Sequence, residues 1–199
     1  MQSKSPRAKR HARTREAILD AALQIVTESG KDALSIREIA GRIDYSPSGL
    51  YEYFASKEEI IEALVGEGFA RLTVCLIHEV QGETAAARLL AANRAYLKFA
   101  QQEPQLYLLM FTCTPSQSVS YAELSGDSAY SKLLQILREG VQSGEFQSST
   151  AAGPEELTYT SWAFIHGLAM LQLTLMRNSP EDIDALHERA LQAFVERLQ

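Results

Sequence analysis

The chain has 199 residues, 46% of them hydrophobic, with a formal net charge of −6. That composition suits a globular protein with a sizeable core. Cys75 and Cys113 stand far apart, with no C-x-x-C and no Cys/His ligand spacing, which excludes a disulfide framework and a zinc site. The most apolar segment, Trp162 to Met176, is broken by His166, Gln172 and Thr174 and falls short of the roughly 20 residues a membrane span needs. No apolar signal segment opens the chain, so the expected location is the cytoplasm.

Charge is unevenly placed. Lys4, Arg7, Lys9, Arg10, Arg13 and Arg15 precede the first acid, Glu16, while the excess of acid falls after residue 60. A basic arm on an acidic body suits a protein that touches phosphate only at its N-terminal end. Residues 1–12 are polar enough to be disordered. From Thr14 to Ser29 a helix is predicted, burying Ile18, Ala21, Ala22, Ile25 and Val26, with Gly30 as its C-terminal stop.

The stretch from Ser35 to Lys57 is the most informative. Ile36, Ile39, Ala40 and Ile43 share one helical face, and Ser35 with Glu38 has the spacing of a capping box. Asp44 and Tyr45 leave room only for a tight turn. Ser46 caps a second short helix with Pro47 at its first position, where the missing N–H costs nothing. Leu50 and Phe54 point inward, and Pro47, Ser48, Gly49, Glu52 and Tyr53 face out. Ser56 and Glu59 form a further S-x-x-E box, opening a helix at Lys57. Two short helices around a tight turn describe a helix-turn-helix, whose second helix can enter the major groove of DNA.

The helix from Lys57 to about Val80 is long enough, at about 1.5 Å per residue, to leave this head and enter a second domain. Further helices are predicted at about 83–102, 105–111, 127–143 and 154–177, and one begins at Ser179-Pro180. Loops are expected at 112–126 and 145–153. The fold class is all-α, with about nine helices and no strand. The segment containing Trp162, Phe164, Ile165, Leu168, Met170 and Leu171 is apolar nearly all round, so it needs cover on more than one side.

Ser46, Leu50, Tyr51, Tyr53, Phe54, Ser56 and Lys57 together resemble the recognition-helix signature of the tetracycline-repressor (TetR) family. Ser35 to Ala40 resembles that family's first helix-turn-helix helix, and Thr14 to Ala22 its opening helix. Trp162, His166 and Gly167 are similar to a Trp-His-Gly pattern in one group of its C-terminal domains. The resemblance implies a basic arm over 1–12, a DNA-binding domain over 13–56 and a ligand-binding and dimerisation domain over 57–199. It places phosphate contacts on Ser35, Tyr51 and Lys57. Arg37 is set to reach a groove edge, with Ser46, Pro47, Ser48, Gly49 and Tyr53 near the bases and Arg13 and Arg15 in the arm. Glu52 departs from the family, where His, Arg or Lys is common: phosphate repels an acid there, which either accepts from cytosine N4 or sits outside the contact surface.

Candidates for a ligand pocket are Phe69, Leu72, Tyr96, Tyr107, Met110, Phe111, Trp162, His166 and Met170. The dimer is expected through the last two helices, with Phe164, Leu168, Leu171, Leu175, Leu186, Phe194 and Leu198 in contact. The partners expected are a double-stranded operator, a small-molecule inducer and a second copy of the chain. No cofactor or metal is called for. No nucleophile elbow, P-loop, dinucleotide fingerprint or H-E-x-x-H supports an enzyme. The rivals are a ligand-independent dimeric DNA-binding protein and an all-α enzyme.

Overall fold

The computed structural model describes residues 5–113, 128–147 and 153–199. Residues 1–4 of the expected arm, and most of the expected loops at 112–126 and 145–153, lie outside them. The described residues form nine α-helices, one 3₁₀ turn at Lys31–Ala33 and no strand. The helices are α1 (Pro6–Ser29), α2 (Ile36–Arg42), α3 (Pro47–Leu50), α4 (Lys57–Glu79), α5 (Ala85–Gln102), α6 (Pro104–Thr112), α7 (Ala129–Gln142), α8 (Pro154–Leu173) and α9 (Ile183–Glu196).

Two helix starts differ from expectation. The first helix begins at Pro6, not Thr14, so the described part of the arm is helical rather than disordered. Ser5 accepts from the Ala8 N–H at 3.3 Å and Pro6 sits in the first turn, which together start the helix there. The last helix begins at Ile183, not at Pro180, because Asp182 supplies the cap, accepting from the Ala185 N–H at 2.9 Å. The preceding helix likewise stops at Leu173 instead of Arg177. Thr174 leaves helical geometry there, at φ −116° and ψ −88°.

The chain divides into two compact units, Met1–Gly68 with Gln105–Pro115, and Phe69–Pro104 with Ser116–Gln199. The first is larger than the head expected at 13–56. Its apolar core gathers Ile18, Ala22 and Ile25 from α1, Leu34, Ile39 and Ala40 around α2, then Leu50, Phe54, Ile60 and Leu64. Leu109 of α6 completes it, so a helix expected in the second domain belongs to the first unit.

In the second unit α5 packs against α7, α8 and α9, and α7 also packs on α8. Glu145 accepts from the N–H groups of Ala85 and Ala86, at 2.7 and 2.8 Å, closing the start of α5. Desolvation pushes the Glu145 carboxyl up, but the backbone hydrogen bonds of Ala86 and Ala85 outweigh it and hold the group below its ordinary value. Gly140 lets Phe146 lie directly on α7: a β-carbon there would collide with the Phe146 ring and come within 3.0 Å of Ala85 Cβ. Arg94 donates to Glu188 at 2.9 Å and Gln101 to Asp184 at 2.7 Å, tying α5 to α9. Being exposed, such pairs add little stability each, about 0–1 kcal/mol.

No helix of the described residues is long and apolar enough to cross a membrane. Cys75 and Cys113 are both free and half-buried, and burial pushes the Cys75 thiol up.

Candidate functional site

In the first unit the helix-turn-helix is built by caps. Ser35 accepts from the Glu38 N–H at 3.1 Å, and Ser46 from the Gly49 N–H at 3.0 Å. The Glu38 carboxylate turns to Arg42 at 3.4 Å, and Arg42 also holds Glu28 of α1 at 2.7 Å. Arg42 thereby links α1 to α2, a tie that the sequence reading missed because the two carboxylates lie on different helices. Asp44 takes a left-handed φ of 52° in the turn, a conformation Asp tolerates better than most residues. Leu50 and Phe54 are buried beneath α3.

Most of the expected DNA-contact residues are open to solvent. Arg13, Arg15, Ser35, Arg37, Ser46, Pro47, Ser48 and Tyr51 are exposed, and Gly49 and Lys57 are half-buried. Tyr51 is 57% exposed, so its ring is not a core aromatic. Glu52 is exposed as well. Tyr53 differs from the rest. It is half-buried, its hydroxyl lies 3.3 Å from that of Tyr45, and its ring centroid is 4.6 Å from His11. The hydrogen bond to Tyr53 raises the Tyr45 phenol above its ordinary value, with the charges of Tyr53 and Glu52 and slight burial adding. The arm residue Arg15 lays its guanidinium over the Phe54 ring at 4.7 Å.

The nine pocket candidates separate. Tyr107, Met110 and Phe111 belong to the first unit, where the Tyr107 and Phe111 rings pack at 4.8 Å. Phe69, Leu72, Tyr96, Trp162, His166 and Met170 belong to the second. Of these the structure joins three. Trp162 Nε1 donates to the Tyr96 hydroxyl at 3.4 Å, and that hydroxyl lies 3.4 Å from His166 Nδ1. If Tyr96 oxygen accepts from Trp162, its own hydrogen points to Nδ1, which sets His166 as the Nε2–H tautomer. Burial pushes the His166 pKa down, so the ring is neutral at pH 7. Tyr130 of α7, which the sequence reading passed over, meets Trp162 edge-on at 5.7 Å. Its signal was its place one turn before Leu133 and Leu134 on an apolar stripe.

Asn93, Ser161 and His187 are buried in this unit, and among the described residues Asn93 Nδ2, Ser161 Oγ and His187 Nδ1 have no hydrogen-bond partner. Asn93 lies one turn before Tyr96 on α5, and Ser161 adjoins Trp162 on α8. A separate groove of about 330 Å³ is lined by Leu76, Ile77, Val80, Arg88, Lys132, Gln135, Ile136 and Glu139.

The candidate dimer residues fall into three groups. Phe164 and Phe194 stack on each other within the subunit, 4.5 Å apart and 14° from parallel. Leu171, Leu175 and Leu186 are exposed, Leu175 to 85%, while Leu168 and Leu198 are half-buried. Leu175 lies beyond the end of α8.

Capped short helices around a tight turn, followed by a helical second unit with buried polar side chains, define an all-α helix-turn-helix protein. Residues 18–64 match the family described as bacterial regulatory proteins, tetR family, and residues 89–194 match the tetracyclin repressor-like C-terminal domain. The chain belongs to the tetR family of bacterial regulatory proteins.

Among its relatives is the HTH-type transcriptional repressor KstR of Mycobacterium tuberculosis, 37% identical over 58 residues, which make up 29% of this chain and 26% of that one. The chain thus spans about a quarter of the length of the curated relative it matches. A protein of unknown function from Rhodococcus sp. RHA1 shares the fold with a TM-score of 0.79 and 25% identity, over 92% of this chain and 94% of that one. The regulator FadR from Bacillus subtilis, solved with stearoyl-CoA, has a TM-score of 0.72 and 20% identity, over 92% of this chain and 99% of that one.

Proposed function

We propose that the protein is a homodimeric repressor that leaves a palindromic operator when a small lipophilic ligand binds its second unit. The observation that carries this is the pairing of exposed polar residues around Arg37, Ser48 and Tyr51 with a chain from the buried Tyr96 to the half-buried Trp162 and His166. The first suits phosphate and base contacts. The second offers a few fixed polar groups among apolar walls, the usual makeup of a small-molecule site. Repression is the activity named for the KstR relative, and stearoyl-CoA is the ligand named for the FadR structure. The net acidic second half and the neutral His166 favour an uncharged or cationic lipophile over a bulky anion. Leu171, Leu175 and Leu186 supply the apolar surface for a second copy.

The mechanism is a shift between two spacings of paired heads, biased by a ligand that prefers the non-binding one. Operator affinity falls by that preference, about 1–3 kcal/mol, and by linkage the operator weakens the ligand equally. The test is calorimetric titration of a screened lipophile with and without operator DNA. Equal affinity in both arms excludes that compound as inducer. A series of screened ligands all behaving that way excludes ligand control.

A further inference from the structure

We propose that the N-terminal extension of α1 is a preformed helical DNA arm, clamped to the recognition turn through His11 on Tyr53, and that it delivers Arg7 to the phosphate backbone. This rests on the DNA-binding reading and goes beyond it by assigning a phosphate contact and a positioning pair.

The argument begins with helical periodicity. α1 is a single helix of 24 residues. Its buried stripe contains Ile18, Ala22 and Ile25. At 3.6 residues per turn the same stripe passes outward through His11 to Arg7. Within the core the stripe is covered by α2 and its neighbours. Farther out, the cover is the recognition turn itself. The Arg15 guanidinium lies over Phe54 at 4.7 Å, and the His11 ring lies 4.6 Å from Tyr53 at an angle of 32°. Tyr53 in turn meets Tyr45 edge-on at 6.1 Å, and their hydroxyls are 3.3 Å apart. Tyr45 covers Gly49 of α3 so closely that a β-carbon at Gly49 would come within 2.7 Å of the ring. A continuous set of contacts therefore runs from the extension to the turn, all within the first compact unit.

Arg7 is one turn beyond His11 on that stripe and is exposed. Lys9, Arg10 and Arg13 follow within the next two turns of α1, and among the described residues no ion pair engages any of the four. A flexible arm would have to be ordered on binding, which costs conformational entropy for each residue fixed. A helix already braced on Tyr53 avoids that cost and fixes the direction in which Arg7 points. Tyr53 has one ring face on His11 and its hydroxyl on Tyr45. Its role is to position the arm against α3, not to read a base.

The experiment uses the full chain and a duplex selected by it from random DNA. Affinity is measured from low to high salt for the unmodified protein, Arg7→Gln, His11→Ala, His11→Phe and the Arg7→Gln/His11→Ala double variant. His11 is exposed, so the fold tolerates these changes, and thermal melting checks it. Arg7→Gln is expected to weaken binding several-fold at low salt and to lower the slope of log K against log salt by about 0.9, the release from one phosphate contact. His11→Ala is expected to do the same, and His11→Phe, which keeps a ring on Tyr53, to restore the slope. The double variant then loses no more than either single one. An unchanged slope in His11→Ala, or an additive double variant, overturns the clamp. If the unmodified protein selects no duplex, the DNA-binding reading itself fails and takes the arm with it.

Discussion

The two units differ in what they bury. The four buried polar residues among the described ones, Asn93, Thr158, Ser161 and His187, all lie in the second unit. The first unit buries mainly aliphatic side chains, with Phe54 and Tyr107 as its fully buried aromatics, and its exposed polar groups supply caps and surface pairs. An apolar, close-packed core has one well-defined arrangement. Buried polar atoms without protein partners cost free energy and leave a site that a polar group can fill. The first unit thus has the simpler core, and the second holds buried polar atoms with hydrogen-bonding capacity left over.

The largest expected effect tests that contrast directly. Leu50 is fully buried under the recognition turn, and Leu50→Ala should cost about 2–5 kcal/mol and abolish operator binding. Asn93→Leu removes an unpartnered Nδ2 of similar burial and should cost no more than about 1 kcal/mol, or stabilise. Denaturant unfolding of both variants settles the order. A larger loss in Asn93→Leu would mean that the second unit's polar groups hold its fold together.

Next in size is a pair of glycines. Gly140→Ala drives a methyl into Phe146 and against Ala85, and overpacking of that kind costs about 1–3 kcal/mol. Gly68→Ala meets Met110 Sδ at 2.6 Å, but an unbranched Met side chain can yield, so the loss should be smaller. Thermal melting of the two variants compares them. Equal losses would show the first unit to be as unyielding around Met110 as the second is around Phe146.

How much of this was legible in the sequence follows from the range of the interactions involved. The helix-turn-helix was legible because caps and periodicity are local: Ser35, Ser46 and Ser56 each cap three residues on, as their spacing implied. The start of α1 was not, because a polar, basic run reads as unstructured while Ser5 and the contacts of His11 and Arg15 favour a helix. That α6 falls in the first compact unit was not legible either, because its stripe of Leu106, Leu109 and Met110 does not say which core it joins. In the pocket list, Tyr96, Trp162 and His166 come together across α5 and α8, and Tyr130 joins from α7, which only packing reveals.

A smaller effect separates the units by pH. Burial lowers the pKa of both His166 and His187, so the folded second unit prefers them neutral. Their contribution to stability is fully present above the unfolded value, about 6.5, and is lost as pH falls below it toward the folded values. Glu28, Glu145, Glu155 and Glu188 are held below their ordinary value, so their contribution is lost only in a lower window, as pH falls through the folded values. Melting should therefore drop between pH 7 and 5.5, and His187→Asn should flatten that part of the curve. A curve unchanged by His187→Asn would show that His166 alone carries it, or that neither does.

The smallest expected effect bears on whether the second unit's outer face is open or covered. Gly66 lies in α4 within the first unit and Gly167 in α8 within the second, and a β-carbon at either would meet nothing within 4 Å in the subunit. Glycine in a helix interior costs about 0.5–1 kcal/mol relative to alanine, so in an isolated subunit both Gly→Ala changes should stabilise. Gly167 shares an α8 face with the exposed Leu171 and Ala163, and a second copy seated there would use the missing side chain to approach closely. Gly66→Ala should then raise the melting temperature at every protein concentration. Gly167→Ala should instead weaken self-association, seen as a larger dimer dissociation constant by sedimentation equilibrium and a melting temperature that begins to rise with concentration only at higher concentration. If Gly167→Ala stabilises as Gly66→Ala does and leaves the dissociation constant alone, α8 does not carry the dimer contact at Gly167, and the interface must be sought around Leu186 and α9.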